Sequence, residues 1–390
     1  MHIVRGLRSV QRALEARLAD EQQRFWGRLA NVPRVAQAAC DTPVGTTPRD
    51  VVLEQHAFKL LRYRRKTPAT YAEPILLCYA LVNRSYILDL QPDKSVVAQY
   101  LNRGFDVYMI DWGIPSIADR HLSLEDYVCR FVNDAVELIL REHGRRDLHM
   151  LGYCMGGTLA TSYAALHPER IKSLTLLAAP IAFSGRESLL NLWTGRANFD
   201  VDAFIDAHGN CPGWFLQTSF LWLKPIQSFI EKTTALYEQM HDARAVTSYF
   251  AMERWINDNV PVAGETFREF VKKLYQNDEL VRGRFHIGGR HVDLAKITCP
   301  LLLVTAKNDH LVPPSSTEGI RGHVGSADVK SLSIAAGHVG LVVGGKAQAT
   351  IWPEATRWLA ERSKTNDEGS GVRARDFVAP ARNEWLPLRP

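Results

Sequence analysis

The sequence predicts an α/β fold, with a mostly parallel central sheet flanked by helices and interrupted by an inserted, mainly helical cap. Three observations predict it. Apolar runs of strand length recur at 74–80, 106–110, 147–151, 171–179, 300–306 and 328–334, with helical stretches between several of them; strands that alternate with helices build a parallel sheet. The rhythm stops between Pro180 and Thr298, where tryptophan, phenylalanine and helix formers dominate, and resumes at Pro300. Finally, Leu151-Gly152-Tyr153-Cys154-Met155-Gly156-Gly157-Thr158 turns directly from a strand into a helix of small residues.

Taken in order, Ser9 to Leu29 reads as an amphipathic helix, with Val10, Leu14, Leu18, Phe25 and Leu29 near helical spacing. It is expected to pack on the domain surface, a partner-binding role being the alternative. Pro43 and Pro48 punctuate a linker, and Asp50 to Tyr63 alternates as an antiparallel hairpin does. Pro74 to Ala80 is a buried strand, Ser95 to Asn102 a helix, and Asp106 to Ile110 a strand. Ser123-Leu124-Glu125-Asp126 opens a helix with an N-cap and acidic first-turn residues, and Gly144 closes it. Lys346 to Arg362 is the closing helix, with Pro353 tolerable near a first turn or at a kink. The expected organisation is 1–46 helix and linker, 47–180 with 299–363 as core, 181–298 as cap, and 364–390 as a disordered tail.

Composition narrows the class. The chain has 390 residues and a formal charge of +5, which does not suggest nucleic acid but suits a phosphate-bearing substrate. Its six cysteines are scattered without a C-x-x-C pair, so neither zinc nor a disulfide framework is expected. Met1 to Gln22 lacks the apolar core of a signal peptide, and no apolar run is long enough to span a bilayer. A cytoplasmic location is the expectation.

The Gly152–Gly156 turn carries the chemistry. Such a turn holds its central residue in a strained conformation, so the side chain stands above the sheet as a nucleophile. Here that residue is Cys154, which reaches its thiolate more readily than serine reaches its alkoxide. Alone, the pattern is weak, because a buried cysteine after a strand is usually an inert apolar residue. A phosphate-loop reading fails because Thr158, not lysine, follows Gly157. Partners should follow in the order acid, then histidine. Asp309 lies just past the strand ending at Ala306, and His338 just past the strand ending at Ile334. Both fall on the sheet edge where parallel sheets place their sites. His310 and His323 compete with His338. The backbone amides of Met155 and of Val82, in the loop after the strand at 74–80, are the expected oxyanion donors. An acyl-cysteine is itself a thioester, so a cysteine nucleophile favours acyl transfer over hydrolysis.

The stretches TPRDVVLEQHAFKLLRYRR, YALVNRSYILDLQPDKSV, GFDVYMIDWGIPSIADRHLSLEDYV, LGYCMGG, LLLVTAKNDHLVPP and AGHVGLVVGGKAQATIWPEATRWLAERS together resemble the polyhydroxyalkanoate synthases, most closely the class III type. The resemblance spans roughly Thr47 to Ser363. It implies an α/β-hydrolase fold and maps the nucleophile onto Cys154, the acid onto Asp309 and the base onto His338. It also implies polymerisation of (R)-3-hydroxyacyl-coenzyme A with release of coenzyme A, at the surface of cytoplasmic polyester granules. No cofactor is implied. The implied partners are a second copy of the chain and, in class III, a second dissimilar subunit. The competing functions are a thioesterase or dienelactone-hydrolase-like enzyme with a cysteine nucleophile, and a non-enzymatic granule-binding role. The aromatic run from Trp214 to Leu223 is expected either to pack within the cap or to form a dimer or polymer-exit surface.

Overall fold

The computed structural model describes residues 2–185, 187–223 and 232–366. Helix α1 (His2–Asp41) leads into an antiparallel hairpin of β1 (Arg49–Gln55) and β2 (Phe58–Tyr63). Six further strands extend this sheet: β3 (Ile75–Cys78), β4 (Val107–Asp111), β5 (Leu148–Tyr153), β6 (Ile171–Leu177), β7 (Leu301–Ala306) and β8 (Val329–Ile334). The eight strands form one sheet in the order β1-β2-β4-β3-β5-β6-β7-β8. From β4 to β8 all neighbours pair in parallel; the hairpin adds an antiparallel edge through β2 and β4. Strands β3, β5 and β7 are buried along their whole length, as their continuous apolar composition requires of strands covered on both faces.

Helices α2 (Val96–Arg103), α3 (Asn133–His143) and α4 (Met155–Leu166) connect the parallel strands. Their ends follow local chemistry. The Ser95 hydroxyl accepts from the Ala98 amide and starts α2. Gly144, at φ 58°, ends α3 while its N–H and that of Arg145 bond back to Arg141 and Leu140. Between β6 and β7 come α5 (Leu189–Trp193), α6 (Val201–His208), α7 (Gly213–Trp222), α8 (Lys232–Gln239), α9 (Ala243–Asn257) and α10 (Gly264–Glu269). Ser188, Asp200 and Asp242 cap three of them. The chain closes with α11 (Pro314–Glu318), α12 (Gly340–Val343) and α13 (Gly345–Ala360).

Two expectations need correction, the end of α1 and the start of the tail. Helix α1 does not stop at Leu29 but runs through Pro33 to Asp41. Anchors on both sides of the proline hold it: the Asn31 amide donates to the Met240 and His241 carbonyls, and Arg254 donates to the Thr42 carbonyl. Its packing is one-sided, for Leu18, Phe25, Trp26, Leu29 and Val32 stay exposed. Helix α13 runs through Pro353 as expected, with Ile351, Trp352, Ala355, Trp358 and Leu359 buried. At the expected tail, Lys364 and Thr365 pair with Ala72 and Tyr71, and the Lys364 amide donates to Glu73. Residues 367–390 of that tail lie outside the described residues.

His149, at the start of β5, is fully buried and bonded through its two ring nitrogens to the Ser173 and Ser363 hydroxyls. Burial, with Lys172 adding to it, lowers its pKa to about 3. The unfolded ring takes up a proton near the ordinary value of 6.5, which the folded ring refuses. Its contribution is therefore intact above that value and falls as pH drops toward 3, by up to about 1.4 kcal/mol per pH unit. His149→Gln should flatten the decline of the melting midpoint between neutral pH and about pH 4.5; a slope equal to that of the parent chain would contradict this.

Candidate active site

The turn from β5 into α4 positions Cys154. Its φ of 54° and ψ of −131° are a costly conformation for a residue with a Cβ, about 1–3 kcal/mol, held in place by its surroundings. The Cys154 amide donates to the Leu177 carbonyl of β6, and its carbonyl accepts from the Gly157 amide. Two glycines are obligatory. A Cβ on Gly156 would overlap the Cys78 and Tyr79 carbonyl oxygens, and one on Gly152 would overlap the Gly157 backbone. The helix therefore approaches β3 and β5 more closely than any side chain permits.

Two loops at the same sheet edge supply the other groups. Past β7, Asp309 is almost wholly buried. Its Oδ1 accepts from the Leu311 and Val312 amides, both at 2.9 Å. Its Oδ2 lies 2.7 Å from His338 Nδ1. A carboxylate accepts, so Nδ1 carries the proton and Nε2 is left for Cys154. Burial opposes charge on the ring, but Asp309 and Cys154 together outweigh it, through both charge and hydrogen bonding, and push His338 up to about 10. His310 and His323, the competing histidines, are both exposed.

Cys154 and His338 share a cavity of about 230 Å³ with Val82, Asn83, Tyr79, Tyr153 and Leu311 on the sheet side. The helical segment closes it with Gln217, Phe220, Leu221, Trp255, Ile256 and Asn259. Val82 thus borders the cavity, and Met155 is the first residue of α4, where a helical N–H has no acceptor within its own helix. Helix α7 divides the aromatic run. Phe220 and Leu221 line the cavity, Leu216 is buried, and Trp214 and Trp222 are about 60% exposed (61% and 58%).

Sequence reasoning missed the ties between the helical segment and the loop after β3. The Trp255 indole donates to the Arg84 carbonyl at 2.8 Å. Arg84 and the Tyr86 hydroxyl both reach Asp258, each at 3.1 Å. Asn83, at φ 62°, donates to the Trp255 carbonyl at 3.4 Å. These partners lie about 170 residues apart, and no local pattern marks them. Among the described residues, no group of three or more His, Cys, Asp or Glu could hold a metal ion, and no helix is long and apolar enough to cross a membrane.

If Asp309 and Cys154 hold the ring charged, removing either should lower the His338 pKa from about 10. Titrating the ring nitrogens by NMR in Asp309→Asn and Cys154→Ala checks this. A value unchanged in both would mean that other groups set it.

Comparison with known proteins now bears on the site. Residues 73–344 match the α/β-hydrolase fold family, and residues 9–101 match the family described as the poly-beta-hydroxybutyrate polymerase (PhaC) N-terminus. Poly(3-hydroxyalkanoate) polymerase subunit PhaC of Allochromatium vinosum is 40% identical over 326 residues, covering 83% of this chain and 91% of that protein. The protein of the same name from Haloferax mediterranei is 39% identical over 356 residues, or 90% of this chain and 72% of that one. The one from Thiocystis violacea is 36% identical over 350 residues, or 89% and 98%. With this fold and these relatives along nearly its whole length, the chain belongs to the poly(3-hydroxyalkanoate) polymerase family and is an acyltransferase.

Proposed function

We propose that the chain polymerises (R)-3-hydroxyacyl-coenzyme A through an acyl-Cys154 intermediate, with release of coenzyme A. The observation that carries the reading is the meeting of Cys154 with the Asp309–His338 pair at one cavity. His338 takes the Cys154 proton, and Asp309 orients the ring and offsets its charge. The sulfur attacks the thioester carbonyl while the Met155 and Val82 amides hold the oxyanion. The carbon–sulfur bond to coenzyme A breaks, and the imidazolium returns the proton to the departing thiol. A 3-hydroxyl then gives its proton to His338 and attacks the acyl-cysteine, which forms the ester and frees the sulfur. No cofactor enters these steps.

The cavity is smaller than most small-molecule sites, roughly 300–1,000 Å³, which suits a short acyl group such as 3-hydroxybutyryl. The class III type, a homodimer, a dissimilar second subunit, and a cytoplasmic granule surface as the place of work belong to the same proposal. The further subunit is supported by the relatives named as polymerase subunits.

The test is purified protein with 3-hydroxybutyryl-coenzyme A, following thiol release and turbidity together. Polymer with free thiol supports the proposal; soluble hydroxy acid with free thiol indicates a hydrolase, and no thiol release a non-enzymatic role. Cys154→Ala should lose activity by roughly 10⁴-fold or more. Cys154→Ser should acylate slowly and stall, because its oxygen ester is a poorer donor to the next hydroxyl. A Cys154→Ala variant that still makes polymer would remove the nucleophile assignment.

A further inference from the structure

Tyr153 ends β5 directly before the nucleophile. Its ring stacks on His338, with centroids 5.1 Å apart and planes 23° from parallel, and stands 5.9 Å from the Tyr79 ring. The side chain is 2% exposed, yet it borders the cavity with Cys154 and His338. Its hydroxyl has no hydrogen-bond partner among the described residues. Four other buried polar atoms there share that condition, on Arg28, Gln91, Tyr100 and Trp358, and none of those residues borders the cavity. Folded interiors rarely leave a hydroxyl unpaired, so one buried on a residue that borders a reaction cavity asks for a ligand.

The neighbouring nitrogen donors are already engaged. Asn83 donates to the Trp255 carbonyl, Gln217 to Asn257 and the Ile256 carbonyl, and Asn259 to the Ile256 carbonyl. The Trp255 indole donates to Arg84, and His338 Nδ1 to Asp309. A ligand oxygen beside His338 therefore finds the Tyr153 O–H uncommitted. Burial, with Cys154 nearby, drives this phenol well above its ordinary range, so it keeps its proton at neutral pH.

We propose that the Tyr153 hydroxyl donates to the 3-hydroxyl oxygen of the bound acyl group and so selects 3-hydroxyacyl over plain acyl thioesters. The assignment rests on the acyl-Cys154 reading above. There, backbone amides hold the carbonyl oxygen, which leaves the 3-hydroxyl as the oxygen that must come within reach of His338. Tyr153 lies against that ring and is suited to orient the hydroxyl without accepting its proton. It is a substrate-orienting residue; the proton still passes to His338.

Tyr153→Phe removes one oxygen atom and keeps the stacking. Thiol release by the full chain should be measured with 3-hydroxybutyryl-coenzyme A and with butyryl-coenzyme A, beside the melting midpoint of each protein. The expected result is a loss in the rate of the first equivalent of thiol released from the hydroxylated substrate that exceeds the loss on butyryl-coenzyme A, whose acyl group has no hydroxyl to pass on, by about tenfold, the scale of one neutral hydrogen bond. The melting midpoint of the variant should rise, since a buried unpaired hydroxyl is gone. Equal losses on both substrates would move the contact to the carbonyl oxygen and overturn the assignment. No loss on either would reduce Tyr153 to a packing residue. A parent chain that releases no thiol from either substrate would remove the acyl-Cys154 reading itself, an outcome distinct from the other two.

Discussion

The molecule depends on how closely α4 passes β3 and β5. At Gly152 and Gly156 the backbones touch with no room for a methyl group, and this contact keeps Cys154 in a conformation it would not adopt alone. Much of the surrounding architecture maintains that approach. The central strands are apolar on both faces because helices must cover both. The hairpin of β1 and β2 extends the sheet sideways beyond β4.

From the same edge, two loops complete the site by different means. Asp309 is fixed through the backbone, with two amides on one oxygen, so its free oxygen can aim only at the His338 ring. His338 is fixed by what surrounds the ring: the carboxylate on one side and the Tyr153 face on another. Burial alone would strip the ring of its proton, so the arrangement works because partners outweigh desolvation.

The fold was legible in the sequence wherever a local pattern encodes it. Apolar runs marked β3 to β8, Gly144 marked the end of α3, and the glycine-bracketed cysteine marked the sharp turn. Asp309 and His338 were legible by position, because topology dictates which loops face the nucleophile. The length of α1 was not, since Pro33 is a local signal to stop and what overrides it is tertiary, contributed by residues near 240 and 254. The cavity wall was hidden for the same reason. Trp255 and Asp258 act through carbonyls and side chains from the loop after β3, and a hydrogen bond to a backbone carbonyl leaves no trace in the type of residue that accepts it. Tyr153 was in plain view inside the turn, but only its surroundings show that its hydroxyl is unpaired.

The ties between residues 83–86 and 255–258 have a bearing on how such chains can be recombined. The helical segment between β6 and β7 resembles a removable module, since it enters and leaves the sheet through two adjacent strands. Its last long helix, however, is fastened to the loop that carries Val82. A chimera that imports the segment from a relative without Trp255 and Asp258 loses the indole bond and the Arg84–Asp258 pair at once. It would leave the loop without its clasp and Asn83 in an unfavourable backbone conformation. The unit of exchange is therefore two pieces far apart in the chain, and a crossover scheme that respects it has to move both together.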